Sequence, residues 1–189
     1  MIAVPDGLRL VLASSSPRRR ELLAGLGLDF VVRPADIDET PHGAEAPTDY
    51  VARLSREKAQ AVATPASVVV AADTTVEVDG MILEKPVDRD DAARMLGLLS
   101  GRDHRCHTGV TVLGAATQTN VVTTTVTFVE LDAAMVDWYL ATGEADDKAG
   151  AYGIQGAAGA FVRRIDGSVT NVIGLPLAET LDMLRSETG

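Results

Sequence analysis

The feature that most constrains this sequence is the apolar run Ser67–Ala72, which reads Ser-Val-Val-Val-Ala-Ala and contains no charged residue. Side chains of a strand alternate between two faces, so a run of this kind indicates a strand that is buried on both faces. The run is followed at once by Asp73, and we expect the strand to end there. The sequence therefore predicts a central strand with a carboxylate at its carboxyl end, where open α/β sheets bind their ligands.

Helical and strand periods alternate along the rest of the chain, which predicts an α/β fold. Asp79-Gly80 and Asp166-Gly167 are typical of hairpin turns, so antiparallel as well as parallel neighbours are expected. We expect a single domain over residues 1–189, with a mixed β-sheet and flanking helices. Further strands are predicted at Leu8–Ala13, Phe30–Arg33, Thr75–Val78, Met81–Glu84 and Val121–Leu131, and helices at Arg18–Leu26, Thr48–Ala63, residues 88–101, Asp132–Leu140 and Pro176–Leu184.

The charge of the chain limits its partners, because 17 Lys and Arg against 27 Asp and Glu give a net charge of −10 at pH 7. This balance disfavours general binding to nucleic acid or to an acidic membrane. Aromatic residues make up only 4% of the chain, which predicts a core of Val, Leu, Ile and Ala. The single cysteine, Cys106, fits a reducing compartment, and the start of the chain lacks the pattern of a secretory leader. We therefore expect a cytoplasmic protein.

The first candidate site is the Ser-rich and Arg-rich segment that follows the first predicted strand. Ser14 and Ser16 supply hydroxyl groups near the start of a helix, where backbone N–H groups also point outwards. Arg18 and Arg19 add guanidinium groups, which match the geometry of phosphate oxygens. An N-cap serine followed by solvated arginines gives the same pattern, so this segment alone leaves both interpretations open.

Carboxylates form two further candidate segments. Asp36, Asp38 and Glu39 lie close together on a predicted loop and provide oxygen ligands suited to Mg²⁺, although an ordinary acidic surface loop has the same composition. Asp73 follows a buried strand, a position suited to a general base or a metal ligand. Its alternative role is that of a cap or turn residue. We favour function for Asp73, because a carboxylate beside a buried strand is costly without a partner.

A glycine-rich segment, Asp147–Gly156, has glycines at positions 150, 153 and 156. It matches neither the dinucleotide-binding pattern nor the phosphate-binding loop of P-loop enzymes, so neither mode of binding follows. A flexible loop has the same appearance. Lys58 and Lys85 add isolated positive charges, which are more often solvated than part of a site.

Taken together, these segments resemble the Maf family from Leu10 to about Leu184, both in the order of the motifs and in their amino acids. The matching motifs are Leu12–Arg19, Arg56–Ala59, Ala72–Thr74, Leu83–Pro86, Leu99–Gly101, Asp147–Gly150, Tyr152–Gly156 and Gly174–Leu177.

This resemblance implies a mixed, twisted, ITPase-like sheet with two lobes around a cleft. It also implies a hydrolase that cleaves nucleoside triphosphates between the α and β phosphates with a divalent cation, Mg or Mn. The implied residues are Asp73 as proton acceptor with Lys58 and Lys85 as further catalytic residues; Ser14, Ser16, Arg18, Arg19, Thr74 and Gln155 for substrate binding and specificity; and Glu39 with Asp73 as metal ligands.

The residues at three positions, Arg18, Thr74 and Gln155, resemble those of the branch of the family that acts on dTTP and UTP, including modified pyrimidine nucleotides. The Gln155 amide both donates and accepts hydrogen bonds, as a pyrimidine edge requires. The resemblance further implies a homodimer that binds a small nucleotide and neither nucleic acid nor membrane.

Four alternatives remain open at this point. The first is the sibling branch that acts on 7-methyl-GTP, and the second is a nucleotide-binding regulator of cell division or septum formation without turnover. The third, a nucleotidyltransferase, lacks its glycine-rich sugar-nucleotide signature here. The fourth is a metallohydrolase built on His104, Cys106 and His107, which alternation along a strand disfavours by placing His107 on the opposite face. His42 is expected to be exposed rather than catalytic.

Overall fold

The structure, a computed structural model, describes residues 7–187. The start of the chain, on which the expectation about a leader depends, lies outside the described residues. The strands are β1 (Arg9–Leu12), β2 (Val31–Val32), β3 (Ser67–Val78), β4 (Met81–Leu83), β5 (Asp103–Leu113), β6 (Thr117–Phe128) and β7 (Val162–Asp166). The helices are α1 (Pro17–Ala24), α2 (Pro47–Val62), α3 (Arg89–Leu99), α4 (Ala133–Leu140), α5 (Val169–Ile173) and α6 (Leu177–Ser186), with 3₁₀ turns at Ala149–Ala151 and Ala157–Phe161.

Local capping explains where several helices begin. Pro17 occupies the first turn of α1, and the Ser16 hydroxyl accepts a hydrogen bond from a backbone N–H of that turn. The carboxylates of Asp88 and Asp132 each accept a backbone N–H three residues further on, at 2.8 Å, and so begin α3 and α4. These starts confirm the helices predicted from the sequence.

The strands form a seven-stranded sheet in the order β2-β1-β3-β5-β6-β7, with β4 paired to β3. Strand β1 runs parallel to both β2 and β3, whereas β4 and β7 run antiparallel to their neighbours β3 and β6. The mixed sheet with flanking helices is therefore confirmed.

Strand β3 is longer than the sequence predicted. The expectation that it ends at Asp73 is wrong, because the strand continues to Val78 and pairs with β4 there. Asp73 is 6% exposed and forms an ion pair, so its charge does not force the chain out of the sheet. One strand thus includes both the predicted apolar run and the predicted first arm of the hairpin.

One of the two predicted hairpins exists. Asp79 and Gly80 have φ angles of 53° and 78°, as a tight turn between antiparallel strands requires, and β3 and β4 pair on either side. The hairpin predicted at Asp166-Gly167 is wrong, because β7 ends at Asp166 and the chain enters α5. Gly167 packs closely against Thr124, and the Ser168 N–H donates to the Thr124 hydroxyl, which directs the chain towards α5.

Strand β5 is not among the strands predicted from the sequence. Its buried positions include His104, His107, Thr108 and Thr111, polar residues that conceal the apolar pattern of a central strand. Strand β6 begins and ends several residues earlier than predicted.

The chain forms two compact units. Unit 1 comprises the described residues up to Asp73, with Thr108–Val122 and those from Gly174 onwards. Unit 2 comprises Thr74–His107 and Thr123–Ile173.

Unit 1 buries both faces of β1 and β3. Alternate residues of β1 and β3 enter two different apolar clusters, with Leu12 and Val70 in one and Val11 and Val69 in the other. The second cluster includes Ala59 and Val62 of α2, and the first includes Leu23 of α1. The central strand predicted from Ser67–Ala72 is therefore confirmed.

Unit 2 has a different kind of core. Edge-to-face contacts join Phe128 to Tyr152 at 4.8 Å and Phe161 to Tyr139 at 5.2 Å between ring centroids. The purely aliphatic core predicted from composition is therefore wrong for this unit, because the few aromatic residues are concentrated in it.

Within residues 7–187, no helix combines the length and the apolar composition needed to cross a membrane.

Packing at Gly109 in β5 gives a prediction about stability. A Cβ atom there would lie 2.5 Å from the Val51 carbonyl carbon and 2.9 Å from the Ala52 amide nitrogen, both backbone atoms of α2. Gly109→Ala is expected to lower the free energy of unfolding by about 1–3 kcal/mol, because helix backbone cannot rotate away as a side chain does. Urea denaturation measures this change.

Gly97→Ala is the matched control, since Gly97 is exposed in α3 and its added Cβ meets no atom within 4 Å. It should raise the free energy of unfolding by roughly 1 kcal/mol through helix propensity. Equal stability of the two variants would contradict the close approach of β5 to α2.

Candidate active site

The centre of the candidate site in unit 1 is the ammonium group of Lys58. This side chain, from the C-terminal half of α2, lies 2.6 Å from Oδ1 of Asp73 on β3 and 2.9 Å from Oε1 of Glu39. Lys58 and Asp73 are almost fully buried, whereas the Glu39 side chain is 48% exposed. One cation thus holds two carboxylates, and the group as a whole carries a net negative charge.

The loop that carries Glu39 is held against α2 by two residues of that helix. The Tyr50 hydroxyl donates to the Glu39 carbonyl oxygen at 2.9 Å, and Arg53 donates to the carbonyl oxygen of Thr40 and to both oxygens of Glu45. The hydrogen bond from Arg53 also holds the pKa of the Glu45 carboxyl below its usual value. The sequence did not predict a role for Tyr50 or Arg53 at the site. The available signal was the position of Tyr50 on the apolar face of the predicted helix.

The serine turn before α1 is organised by its own hydrogen bonds. The Ser14 hydroxyl accepts from the Ser16 N–H at 3.2 Å and from Arg19 Nη1 at 3.4 Å. Arg19 Nε donates to the Gly174 carbonyl oxygen at 2.7 Å. Arg19 therefore joins the turn to the segment before α6, and Arg18 lies half-buried beside it.

Glu39 and Asp73 also form the donor set that fits a divalent cation. Their oxygens converge on one positive charge, and carboxylate oxygens are the ligands that Mg²⁺ and Mn²⁺ prefer. The Asp38 carboxylate instead accepts a hydrogen bond from the Thr40 N–H at 2.9 Å. Hydrogen bonds with Thr40 hold the pKa of this carboxyl below its usual value. Among residues 7–187, no three His, Cys, Asp or Glu side chains lie together to hold a metal ion. A divalent cation held by Glu39 and Asp73 would therefore need further oxygen ligands from outside these side chains.

Three of the predicted site residues belong to unit 2. Thr74 follows Asp73 directly on β3 and is half-buried, with its side chain on the opposite face of the strand. Lys85 is exposed between β4 and α3, and Gln155 is exposed in the glycine-rich loop. The Gly150 N–H donates to the Glu84 carbonyl oxygen at 3.1 Å. This hydrogen bond connects the glycine-rich loop of Gln155 to the segment of Lys85.

The histidines of β5 have separate partners. His104 Nε2 is hydrogen-bonded to the Tyr152 hydroxyl at 2.8 Å, and burial lowers the pKa of His104 to about 4. His107 Nδ1 is hydrogen-bonded to Thr123 at 2.8 Å. Burial also lowers the pKa of His107, an effect that the nearby Glu77 carboxylate opposes. His104 and His107 thus contact different groups, which disfavours a shared metal, and His42 is exposed as expected.

Comparison with known proteins identifies relatives over nearly the whole chain. The profile of the family described as Maf-like protein matches residues 9–187. Proteins named dTTP/UTP pyrophosphatase are 57% identical over 182 residues in Anaeromyxobacter dehalogenans (strain 2CP-C), covering 94% of this chain and 93% of the relative, and 55% identical over 181 residues in Sphingopyxis alaskensis, covering 94% and 95%. The protein of that name in Myxococcus xanthus is 53% identical over 182 residues, covering 95% and 93%.

Among solved structures, the Ham1 protein of Staphylococcus aureus is a more distant match. It has 19% identity and a TM-score of 0.47, covering 66% of this chain and 72% of that one. The family assignment therefore depends on the profile and the sequence relatives.

The Lys58 cluster gives a prediction about stability. Lys58→Met leaves the buried Asp73 carboxylate without a cation, and breaking a buried ion pair from one side costs about 3–5 kcal/mol of the free energy of unfolding. The lower end of that range is expected, because Glu39 is half-exposed and water can solvate its carboxylate once Lys58 is lost.

Lys85→Met removes the same charge at an exposed position and is the matched control, with a change within about 0.5 kcal/mol. Chemical denaturation followed by circular dichroism compares the two variants. A Lys58→Met protein as stable as Lys85→Met would mean that the ion pair contributes nothing to folding.

Proposed function

Since this chain belongs to the family of Maf-like proteins, we propose that it is a hydrolase that converts dTTP and UTP to the nucleoside monophosphate and pyrophosphate. The activity is the one in the names of its relatives. The structural observation that supports the proposal is the buried Lys58–Asp73 pair with Glu39, in which two carboxylates meet at one ammonium group.

The positively charged residues bind the phosphates. A triphosphate carries about four negative charges, and stabilising the charge that moves in phosphoryl transfer is the main catalytic requirement. Arg18 and Arg19 at the serine turn, together with Lys58, provide positive charge in unit 1, and Lys85 provides it in unit 2. Ser14 and Ser16 add hydroxyls near the first N–H groups of α1, a favourable place for an anion.

Asp73 is the proton acceptor. It takes a proton from water as the water oxygen bonds to the α phosphorus, and the bond from that phosphorus to the bridging oxygen of pyrophosphate breaks. Lys58 donates to Oδ1 of Asp73 and so fixes the orientation of the carboxylate. Lys58 also offers a positive charge to the leaving phosphates.

Glu39 and Asp73 would hold a divalent cation, Mg²⁺ or Mn²⁺. Such a cation supplies charge neutralisation on phosphate oxygens. Glu39 is suited to this role because it is reachable from solvent and fixed through the Tyr50 hydroxyl.

Gln155, Thr74 and Arg18 are the specificity residues. The amide of Gln155 can donate to a carbonyl oxygen of uracil or thymine and accept from the neighbouring N3–H. A mismatched base leaves these polar groups unpaired, which is how hydrogen-bonded sites discriminate strongly. The runner-up is the branch of the family that acts on 7-methyl-GTP.

We further propose that the protein is a cytoplasmic homodimer. The single buried Cys106 is compatible with a reducing compartment, and the net charge of −10 disfavours nucleic acid as a partner. Light scattering coupled to size-exclusion chromatography measures the oligomeric state.

The function is tested with a panel of triphosphates at fixed Mg²⁺, scored by pyrophosphate release. The kcat/KM values for dTTP and UTP should exceed those for ATP, GTP and CTP by about tenfold or more, because base readout depends on hydrogen bonds. A preference for 7-methyl-GTP would instead assign the chain to the sibling branch. Nucleotide binding without turnover would indicate a regulator, and turnover only with a second substrate would indicate a transferase.

Asp73→Asn tests the mechanism. The variant keeps the shape of the side chain but cannot accept the proton, so kcat should fall by roughly 10² to 10⁴. The fold should persist, because Glu39 still pairs with Lys58. Circular dichroism checks folding, and Asp146→Asn, at an exposed site, is the control.

Reaction in ¹⁸O-water locates the attack independently. Mass spectrometry should find the label in the monophosphate, and label in pyrophosphate would place attack on the β phosphorus and contradict the role of Asp73 described above.

A further inference from the structure

The turn that carries Gln155 has a defined geometry. The Gly156 N–H donates to the Gly153 carbonyl oxygen at 3.1 Å, which closes a four-residue turn with Gln155 in its second half. Gln155 is exposed at this turn, so its direction depends on how the two glycines are held.

Both glycines are packed against the side chain of a nearby residue. A Cβ at Gly153 would lie 2.5 Å from Cε of Lys148, and a Cβ at Gly156 would lie 2.6 Å from the carboxyl carbon of Glu144. The Lys148 stem and the Glu144 carboxylate therefore occupy the space that any larger residue would take. These contacts give a physical reason for glycine at both ends of the turn.

Hydrogen bonds fix these two side chains in turn. The Glu144 carboxylate accepts the Ala157 N–H at 2.9 Å, immediately after the turn. Lys148 Nζ donates to the Glu144 carbonyl oxygen at 2.5 Å and to the Asp147 carboxylate at 2.6 Å. Glu144 is thus used twice, since its carbonyl holds Lys148 at one end of the turn and its carboxylate holds the backbone at the other.

We propose that Glu144 and Lys148 are positioning residues for base selection, which fix the Gln155 turn without contacting the base. The proposal rests on the proposed function for its consequence, and on the contacts within unit 2 for its cause. A loosened turn lets Gln155 take several directions, so the amide no longer rejects an incorrect base. The loss falls on discrimination between bases more than on turnover.

Glu144→Ala tests the positioning directly. Hydrogen–deuterium exchange of the peptide spanning residues 152–158 should accelerate about tenfold or more, because the carboxylate that accepts the Ala157 N–H is removed. Glu144→Gln keeps an acceptor oxygen and should restore slow exchange. Asp146→Ala removes an exposed carboxylate from the same segment and should leave exchange unchanged.

The consequence is measured as the ratio of kcat/KM between the best and the worst nucleoside triphosphate of the wild-type panel. Glu144→Ala should reduce this ratio about tenfold or more, with a raised KM for the best substrate, and Glu144→Gln should recover most of it. Lys148→Met, which keeps the packed stem and loses the ammonium group, should cause a smaller loss of the ratio.

Three results would overturn the proposal. The first is unchanged exchange in Glu144→Ala, whatever the substrate proves to be. The second is an equal fall of kcat/KM for all bases, which would make Glu144 merely structural. The third is a rise of KM for all triphosphates alike in Lys148→Met, which would make Lys148 a phosphate ligand. Failure of the proposed function appears separately, as a wild-type protein that does not prefer dTTP and UTP.

Discussion

The ammonium group of Lys58 is the element on which the fold and the candidate site of unit 1 both depend. Two carboxylates from different parts of the chain, Asp73 and Glu39, meet at this one cation. Because the charge of Asp73 is balanced, β3 continues as a strand past a buried acid instead of ending there. The same balance keeps a carboxylate inside the protein, where a proposed base is shielded from bulk water and held in one orientation.

The rigidity of that site comes from the apolar surroundings of β1 and β3. Alternate side chains enter two clusters, so each strand is fixed from both faces. Helix α2 contributes Ala59 and Val62 to one of these clusters, while Lys58 of the same helix reaches Asp73. Packing and electrostatics therefore use neighbouring positions of one helix, which holds the polar cluster at fixed distances.

The Gln155 turn in unit 2 is organised differently. Gln155 itself is exposed, and its turn is held by hydrogen bonds and by side chains that lie against Gly153 and Gly156. A proposed base-reading group thus lies on a turn whose position is set by Glu144 and Lys148. A substitution at the exposed Gln155 is expected to cost less folding stability than one at the buried Lys58–Asp73 pair.

The sequence by itself determined the mixed α/β class, the central strand, most helices and the family, because these depend on local period, capping residues and motif spelling. It also predicted, through the family resemblance, that Asp73, Lys58 and Glu39 belong to one site. Only the tertiary structure decided that both carboxylates contact the Lys58 ammonium group, that β3 continues through Asp73, and that the second predicted hairpin does not form. It also revealed β5, whose buried histidines and threonines do not give the apolar sequence pattern of a central strand. The physical reason is the same in each case: the cost of burying a polar group depends on its partner, and the partner lies far away along the chain.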